Sequence, residues 1–370
     1  MADTSYPVNH PNAVMYWHRK LFREALKQSK YFKFMGDGSD SMIQFLDETS
    51  KGPGDTVRVI LRKLLVGVGV NGDGTLEGNE EELSTFTDNL IINQHRHAVR
   101  SGGKMSDQRI PFSVREEAYM GLRDYWTALI DAWLSNQLNG NTLGVVPAAN
   151  VAFTGMQAAI APSTTNHLFA GPGDATSETS ITTSASSFFR LADIDRMVVR
   201  AKTLGATPLR PIKVEGEDKY ILFVHPFQHH QLRINGNTGQ YLDIQKSAMT
   251  GGQVSNNPLY TGSIAEWHGV IIHESFRQPW GNANDSSEQA RTALNLANRA
   301  RAVLCGAQAA VFATGQNTSK GGQPNWYEEL FDYGNKLGVS AGMIAGAKKT
   351  VFNSQDFGTV VLSSFSPDPG

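Results

Sequence analysis

The most regular hydrophobic pattern in the chain runs from Ser113 to Gly140. Apolar side chains recur there every three or four residues, at Ala118, Leu122, Tyr125, Trp126, Leu129 and Trp133. This spacing gathers them on one side of an α-helix. Ser113 and Glu116 have the spacing of a capping box, and Gly140 is suited to a left-handed C-cap. The pattern predicts a helix roughly 35–40 Å long, whose aromatic side lies against a large surface.

A pattern with a period of two precedes this helix. Val57, Val59 and Leu61 alternate with Thr56, Arg58 and Arg62, which predicts a strand. A glycine-rich turn at 67–78 and a returning strand over Asp88–Arg100 complete a ribbon of roughly fifty residues, which is long for a connection inside a compact domain. An isolated two-stranded ribbon is only marginally stable. We therefore expect its apolar side to be buried on a neighbouring copy of the chain.

Weaker patterns of the same kinds predict the remaining elements. We expect helices over Ala13–Phe34, with a basic surface, and over Leu191–Leu204; loops and short elements over Asn141–Phe189; helix and turn elements over Asn325–Leu330 and Gly334–Gly346; and strands at Tyr220–Val224, Val270–His273 and Gly358–Phe365. The elements do not follow a repeating strand–helix–strand order, so the predicted fold class is α+β.

The composition is that of a globular protein, with 40% hydrophobic residues, 18% charged residues and a net charge of −2. A length of 370 residues exceeds one compact core and predicts about two or three domains or lobes. Cys305 is the only cysteine, so a disulfide within the chain is excluded and a reducing cytoplasm is expected. The first residues do not resemble a signal peptide, and the longest apolar run, Ala302–Ala313, is too short to span a bilayer. We expect a soluble intracellular product.

The glycine-rich turn carries two patterns that are found in binding sites. Gly67–Gly72 fits the dinucleotide pattern GxGxxG, but that site requires a helix that starts within the motif. Asn71, Asp73 and Glu80 match part of a calcium loop, whereas its first position is Gly69, which has no side-chain oxygen. A hairpin turn explains the segment better, and a weak divalent-cation site is the remaining alternative.

Two further patterns are typical of hydrolases. Gly338–Gly342 fits GxSxG, but a nucleophile elbow needs a later histidine, and no histidine follows His273. His225, His229 and His230 have metal-like spacing, without a nearby cysteine or an HExxH motif. We therefore predict no catalytic, cofactor-binding or metal-binding residue and no enzymatic activity. A metal-dependent hydrolase built on these histidines is the less favoured alternative.

Three long segments carry a family resemblance. They are TLEGNEEELSTFTDNLIINQHRHAVR at 75–100, ANRARAVLCGAQAAVFATG at 297–315 and FDYGNKLGVSAGMIAGAKKTVFNSQDFGTVVLSSF at 331–365. Together with the long helix, they resemble the major capsid proteins of podovirus-type tailed bacteriophages, in particular the family typified by the coliphage N-four major head protein. The similarity covers most of the chain in the same order.

The resemblance implies the Hong Kong 97-type capsid fold, an α+β fold that forms a flat interlocking tile. Its parts correspond to an N-terminal arm at 1–51, an extended loop at 52–112, a peripheral domain at 113–219 with a spine helix at 113–138, an axial domain at 220–346 and a C-terminal strand at 347–370 that returns to the peripheral domain. In this arrangement the ribbon is the extended loop and the long helix is the spine.

The resemblance also implies a function, that of a major capsid protein that self-assembles as hexamers and pentamers into an icosahedral shell around double-stranded phage DNA. Its location is then the virion, after assembly in the host cytoplasm. Portal and scaffolding proteins are the expected partners, with a decoration protein as a further one, and no membrane or cofactor is involved. A cellular nanocompartment shell protein of the same fold is the main alternative.

The ribbon and the arm supply the expected contacts. The apolar residues predicted at the subunit interface are Trp17, Leu21, Ile60, Leu61, Leu64, Leu65 and Val66. The basic residues predicted to face packaged DNA are Arg19, Lys20, Arg23 and Lys27. These cations would contact phosphates without reading the base sequence.

Overall fold

The computed structural model describes residues 29–47, 56–62, 69–78, 80, 85–111, 113–142, 157–171, 175–204, 208–214, 216–234, 265–281, 294, 296–315 and 325–369. Four α-helices lie in these segments: α1 (Lys104–Arg109), α2 (Val114–Asn139), α3 (Leu191–Thr203) and α4 (Pro226–Ile234). The strands there are β1 (Met35–Gly36), β2 (Ile43–Asp47), β3 (Thr56–Arg62), β4 (Thr85–Ile91), β5 (Asn93–Arg100), β6 (His167–Phe169), β7 (Ile212–Val214), β8 (Glu217–Val224), β9 (Ala265–Trp267), β10 (Val270–Glu274), β11 (Arg299–Cys305), β12 (Ala310–Thr314), β13 (Asn325–Phe331), β14 (Lys336–Lys349), β15 (Val351–Phe352), β16 (Gln355–Asp356) and β17 (Thr359–Phe365).

Two mixed sheets form the body of the described chain. The six-stranded sheet has the order β1-β2-β12-β14-β13, with β5 also paired to β14. The seven-stranded sheet has the order β6-β17-β11-β8-β10-β9, with β7 also paired to β8. Both sheets join segments that are distant in sequence, because Ile43 pairs with Ala310 in the first and His167 pairs with Val361 in the second. A separate antiparallel ribbon, β3–β4, extends from this body.

Helix α2 lies between the two sheets, because its core cluster contains residues of both. Phe312 and Ala347 come from the six-stranded sheet, whereas Phe223 and Val361 come from the seven-stranded sheet. In the first half of the helix only one side is buried, as predicted. Every residue from Ala128 to Asn139 is buried, so the prediction of a single stripe does not hold for the second half.

Polar side chains in this buried half bind segments that flank the helix. Asp131 Oδ1 accepts hydrogen bonds from the Ser29 hydroxyl at 2.5 Å and from the Lys30 N–H at 3.2 Å. Burial raises the pKa of Asp131, although these hydrogen bonds oppose the rise. Asn139 Nδ2 donates to Gln278 Oε1 at 2.8 Å. The helix therefore fixes the end of the predicted arm as well as both sheets.

The two ends of α2 are capped differently. At the C-terminus Gly140 has φ 59° and ψ 41°, which is the predicted left-handed cap. At the N-terminus the Ser113 side chain makes no cap hydrogen bond, so the predicted capping box with Glu116 is wrong. Both side chains are exposed, and water can satisfy the first N–H groups of an exposed helix end.

Helix α3 covers the other face of the seven-stranded sheet. Its Ile194 and Met197 share a cluster with Leu222, whereas the next residue of β8, Phe223, belongs to the cluster around α2. Successive residues of a strand point to opposite faces, so the two helices sandwich this sheet. The predicted helix at Leu191–Leu204 is confirmed, as are the predicted strands at β8, β10 and β17.

Two strands, β13 and β14, replace the helix and turn elements predicted for this part of the chain. In β13, Trp326 and Glu328 are buried, and Tyr327 and Glu329 are exposed. Buried and exposed side chains therefore alternate with a period of two. The sequence does not show this alternation, because one of the buried residues is a glutamate. Glu328 Oε1 accepts hydrogen bonds from Arg115 Nε and from Trp326 Nε1, both at 2.7 Å. Glu328 is therefore a buried, paired carboxylate, although glutamate is usually solvated.

The segment Ser29–Phe34 does not continue the predicted helix Ala13–Phe34. It bends into a 3-10 turn at Phe32–Phe34. Tyr31 is fully buried, and its hydroxyl accepts a hydrogen bond from Gln278 Nε2 at 2.8 Å. Insertion of this ring into the core fixes the backbone locally and overrides helix propensity. The remainder of the predicted helix lies outside the described residues.

Two predicted boundaries also change. The returning limb of the ribbon divides at Ile92 into β4, which pairs with β3, and β5, which pairs with β14. The predicted boundary at 346 falls inside β14. Within the range 220–346, some strands belong to the six-stranded sheet and others to the seven-stranded sheet. The C-terminal strand β17 pairs with β11 in the seven-stranded sheet. The sheets therefore combine segments that a division by sequence range separates.

Candidate functional site

The ribbon has one buried face and one exposed face. Val57, Val59 and Leu61 belong to a core cluster with Val311 of β12 and with Phe357. Leu61, which the sequence predicts at an interface, is only 1% exposed within a single copy. The expectation that this face needs a neighbouring copy is wrong for these three residues, because β12 of the same chain covers them.

The opposite face of the ribbon is exposed and carries another predicted interface residue. Ile60 is 63% exposed and Ile91 is 44% exposed. Arg58 lies on the ribbon between Ile60 and the pair that contains Ile91, and it is also exposed. These three side chains share one face because residues alternate across a strand. Ile60 remains a candidate for contact with another copy.

An ion pair links the ribbon to β14 at Asp88, midway along the paired strands of the ribbon. Lys348 Nζ lies 2.5 Å from Asp88 Oδ1 and donates to the Asn89 carbonyl at 2.8 Å. The second Asp88 oxygen accepts the Val351 N–H at 3.2 Å. Both charged side chains are largely shielded from solvent, so water weakens this pair less than it weakens an exposed one. The contact holds the ribbon in one orientation relative to β14.

The β13–β14 hairpin carries a second set of exposed apolar side chains, which the sequence patterns did not predict. Its members are Tyr327, Leu330, Phe331 and Tyr333, and Tyr333 is fully exposed. The Arg100 guanidinium lies 4.5 Å from the centroid of the Phe331 ring. Tyr327 and Phe331 lie on the same face of β13, because they are four residues apart in a strand. Exposed apolar side chains that share a face commonly mark interaction surfaces. The turn signal Asp332–Asn335 between apolar residues could have revealed this hairpin.

A buried charge cluster connects α2 to the seven-stranded sheet. Arg301 Nε and Nη2 contact the two Glu178 carboxylate oxygens at 2.5 and 2.9 Å. Arg301 Nη1 also donates to the carbonyls of Asn139 and Gly140, at 3.1 and 3.0 Å. Burial opposes ionisation of Glu178, but the Arg301 guanidinium outweighs it, so the pKa of Glu178 is lowered overall. Arg301 thus places a cation at the C-terminus of α2, where the helix dipole favours one.

His167 belongs to the same cluster. Its Nε2 lies 2.9 Å from Ser363 Oγ, which donates to Glu178 Oε1 at 2.6 Å. Burial, reinforced by the charge of Arg301, lowers the pKa of His167 to about 4. The imidazole is therefore neutral at neutral pH, and the cluster serves the stability of the subunit.

The three histidines with metal-like spacing do not act together. His225 stacks on Trp280 with 5.9 Å between ring centroids, and its Nδ1 accepts the Phe227 N–H at 3.2 Å. Burial lowers the pKa of His225 to about 3. His229 Nδ1 lies 2.6 Å from Glu274 Oε2. Within the described part of the chain, no group of three or more His, Cys, Asp or Glu residues is placed to hold a metal ion.

The glycine-rich turn has the conformation of a turn where it is described. Residues 69–78 contain no helix, so no helix N-terminus follows the GxGxxG pattern there. Gly69, Gly72 and Gly78 have φ values of 68°, 64° and 89°. Glycine adopts positive φ without steric cost, which suits a chain reversal at the end of a ribbon.

Most predicted interface and DNA-facing residues lie outside the described residues. They are Trp17, Leu21, Leu64, Leu65, Val66, Arg19, Lys20, Arg23 and Lys27. Their roles remain predictions. Among the helices that the structure describes, none combines the length and the apolar character needed to cross a membrane.

Known proteins resemble this chain over nearly its whole length. A family model described as phage capsid protein matches residues 5–368. The major capsid protein of Pseudomonas phage KPP25 is 29% identical over 366 residues, which cover 93% of each chain. Among solved structures, the capsid of Ralstonia phage GP4 has a TM-score of 0.74 at 31% identity, with 93% of each chain covered. The Cyanophage Pam1 capsid asymmetric unit has a TM-score of 0.67 at 21% identity, covering 100% of this chain and 95% of the other.

These relatives are phage capsid proteins, and the solved structures among them have Hong Kong 97-like folds. The predicted α+β fold of the Hong Kong 97 type is confirmed. The predicted function of a phage major capsid protein is confirmed in the same comparison. The chain belongs to the phage capsid protein family, as a major capsid protein.

Proposed function

We propose that copies of this chain associate through exposed apolar faces that one copy leaves uncovered, and so close into a shell of hexamers and pentamers. The observation that carries the proposal is Ile60, a large apolar side chain that is 63% exposed on a ribbon whose other face is packed. A projecting apolar side chain on a supported element is suited to fill a pocket on a neighbour.

The energetics favour several modest contacts over one strong contact. Full burial of Ile60 would contribute about 1.5–3 kcal/mol. Association of two proteins costs about 4–15 kcal/mol in lost freedom, so one such side chain is not sufficient. Ile91 and the β13–β14 hairpin supply further exposed apolar area. Contacts that are weak singly and strong together let misplaced subunits dissociate before the shell closes.

The ribbon and α2 take their proposed roles in the shell from the predicted domains. The ribbon acts as the extended loop within 52–112, and α2 acts as the spine of the peripheral domain. The ion pair between Asp88 and Lys348 supports this proposal, because it fixes the direction in which the extended loop leaves the subunit. A loop with a fixed direction loses less conformational freedom on docking.

The proposal includes partners outside the chain. Portal and scaffolding proteins would direct assembly in the host cytoplasm, and a decoration protein would bind the finished shell. The arm would contact packaged DNA through Arg19, Lys20, Arg23 and Lys27, by charge alone. The subunit itself would have a structural role and no enzymatic one. The internal bonding of Glu178, Arg301 and His167 supports this role, because their polar groups serve the fold.

The variant Ile60→Asp tests the proposal. The position is exposed, so the subunit should fold normally, but a carboxylate buried at a contact is strongly unfavourable. We expect the yield of shells to fall at least about tenfold, the effect of roughly 1.4 kcal/mol per contact, as measured by sedimentation and electron microscopy. Ile60→Val keeps an apolar β-branched side chain and should assemble like the parent. Normal shell yield from Ile60→Asp would refute this role for the ribbon.

A further inference from the structure

The tip of the ribbon is acidic and exposed. Asp73, Glu77 and Glu80 are exposed there, and the sequence from 69 to 80 contains no lysine or arginine. Leu76 lies among them and is 61% exposed. We call these four residues the acidic tip. An apolar side chain surrounded by charged ones is the usual arrangement at a protein–protein contact.

Strand β5 and helix α1 carry the opposite charge. Arg96, Arg100 and Lys104 are exposed, and Met105 is 64% exposed. Arg96 and Arg100 lie on the same face of β5, because they are four residues apart in a strand. We call these four residues the basic strand surface. It combines three cations with one large apolar side chain, as the acidic tip combines three anions with one.

The cations of β5 point away from the core of their own chain. His97 on the other face of β5 stacks on Tyr125 of α2 with 4.2 Å between ring centroids. His95 Nε2 lies 2.8 Å from the Tyr125 hydroxyl. Because alternate residues take opposite faces, Arg96 and Arg100 lie on the side that α2 does not cover.

The two surfaces are separated within one copy. The ribbon register runs from the pair Thr56–Ile91 to the pair Arg62–Thr85, and β5 begins at Asn93, directly beyond its base. The six steps between these seven pairs, at about 3.3 Å each, place the far end of the paired strands about 20 Å from that base. Both surfaces are also exposed, so neither covers the other in the single copy.

We infer that the acidic tip of one copy docks on the basic strand surface of a second copy. The inference rests on the proposed assembly and names the partner surface for the ribbon. Opposite charges steer the encounter and select one orientation, and Leu76 and Met105 supply apolar contact. Salt should weaken the contact, because exposed charges are screened over about 8 Å at physiological ionic strength.

Charge reversal on each surface tests this pairing. The tip variant is Glu77→Lys with Glu80→Lys, and the strand variant is Arg96→Glu with Lys104→Glu. Each variant alone should assemble about ten- to a hundredfold more slowly than the parent at low salt, within the range of electrostatic steering, as followed by light scattering. An equal mixture of the two variants should recover, because the reversed tip of one then meets the reversed strand surface of the other.

A matched control reverses two basic residues elsewhere. Lys202→Glu with Lys213→Glu changes the net charge as much as the strand variant at exposed positions on α3 and β7, and it should assemble like the parent. A mixture of tip and strand variants that assembles no faster than either alone would overturn the inference. So would parent-like assembly rates and salt dependence in either variant.

Two other results separate the explanations. If particles made from the strand variant in infected cells are normal in number but retain less DNA, the basic strand surface binds phosphates instead of a second copy, and the inference fails. If the parent itself forms no shells, rings or sheets, the proposed assembly fails. The first result leaves the proposed assembly intact, so the two failures are distinguishable.

Discussion

At the scale of single residues, a buried ion pair holds distant parts of the fold together. Glu178 and Arg301 are both nearly inaccessible to solvent, and their ion pair joins three segments of the chain. Taking charges out of water is costly, and only complete pairing offsets the cost. The guanidinium meets this condition by contacting both Glu178 oxygens and two carbonyls at the end of α2.

Glu178→Gln should therefore destabilise the unassembled subunit. The substitution leaves Arg301 buried without its counter-charge, and removal of one partner of a buried pair costs about 3–5 kcal/mol. Denaturant unfolding measures the loss. Glu217→Gln is the matched control, because Glu217 pairs with Lys219 at 3.2 Å but is 73% exposed, and exposed pairs contribute about 0–1 kcal/mol. Equal midpoints for the two variants would contradict this account of the cluster.

Three histidines with lowered pKa values predict how stability depends on pH. Burial lowers the pKa of His167 and His273 to about 4 and that of His225 to about 3, from an ordinary value of 6.5. Below 6.5 the unfolded chain binds protons that the folded chain does not, so stability falls as pH decreases from about 6.5 towards 4. Unfolding midpoints between pH 7.5 and 4.5 should show this decline, with a shallower slope in His167→Gln. A midpoint that stays constant over this range would rule the prediction out.

At the scale of elements, the ribbon shows what alternation can and cannot predict. The period of two at β3 predicted the strand and grouped Val57, Val59 and Leu61 correctly. It could not show what covers them, because the covering residues Val311 and Phe357 lie far away in sequence. The prediction of a helix at β13 was wrong for a related reason. Glu328 can point inward because Arg115, 213 residues distant, neutralises its charge. A local sequence pattern cannot reveal contacts with residues that are this distant in sequence.

Neighbouring residues of β3 offer a direct test of the two ribbon faces. Leu61→Ala should destabilise the unassembled subunit by about 2–5 kcal/mol, the usual cost of a cavity in a core. Ile60→Ala should change it by no more than about 0.5 kcal/mol, because the side chain is exposed. Thermal or denaturant unfolding of both variants measures the difference. A larger loss from Ile60→Ala than from Leu61→Ala would reverse the assignment of the faces.

At the scale of the whole molecule, the resemblance predicted the fold better than the periodicity did. Local patterns located α2, α3 and several strands, but they could not place β5 beside β14 or β2 beside β12. Those pairings join residues more than two hundred positions apart, and both belong to the six-stranded sheet. The range 220–346 supplies strands to each sheet, and the predicted domain limits stay predictions. Local patterns also could not separate the exposed Ile60 from the buried Leu61, because exposure depends on the complete tertiary structure.

The central claim is that one copy is an incomplete unit which other copies complete. The most direct measurement is the particle mass of the expressed full chain, determined by analytical ultracentrifugation with electron microscopy of the same sample. The account predicts regular assemblies of many copies, as closed shells or as rings and sheets with a constant subunit spacing, that weaken as salt increases. A chain that remains a monomer at every salt and protein concentration tested would contradict it.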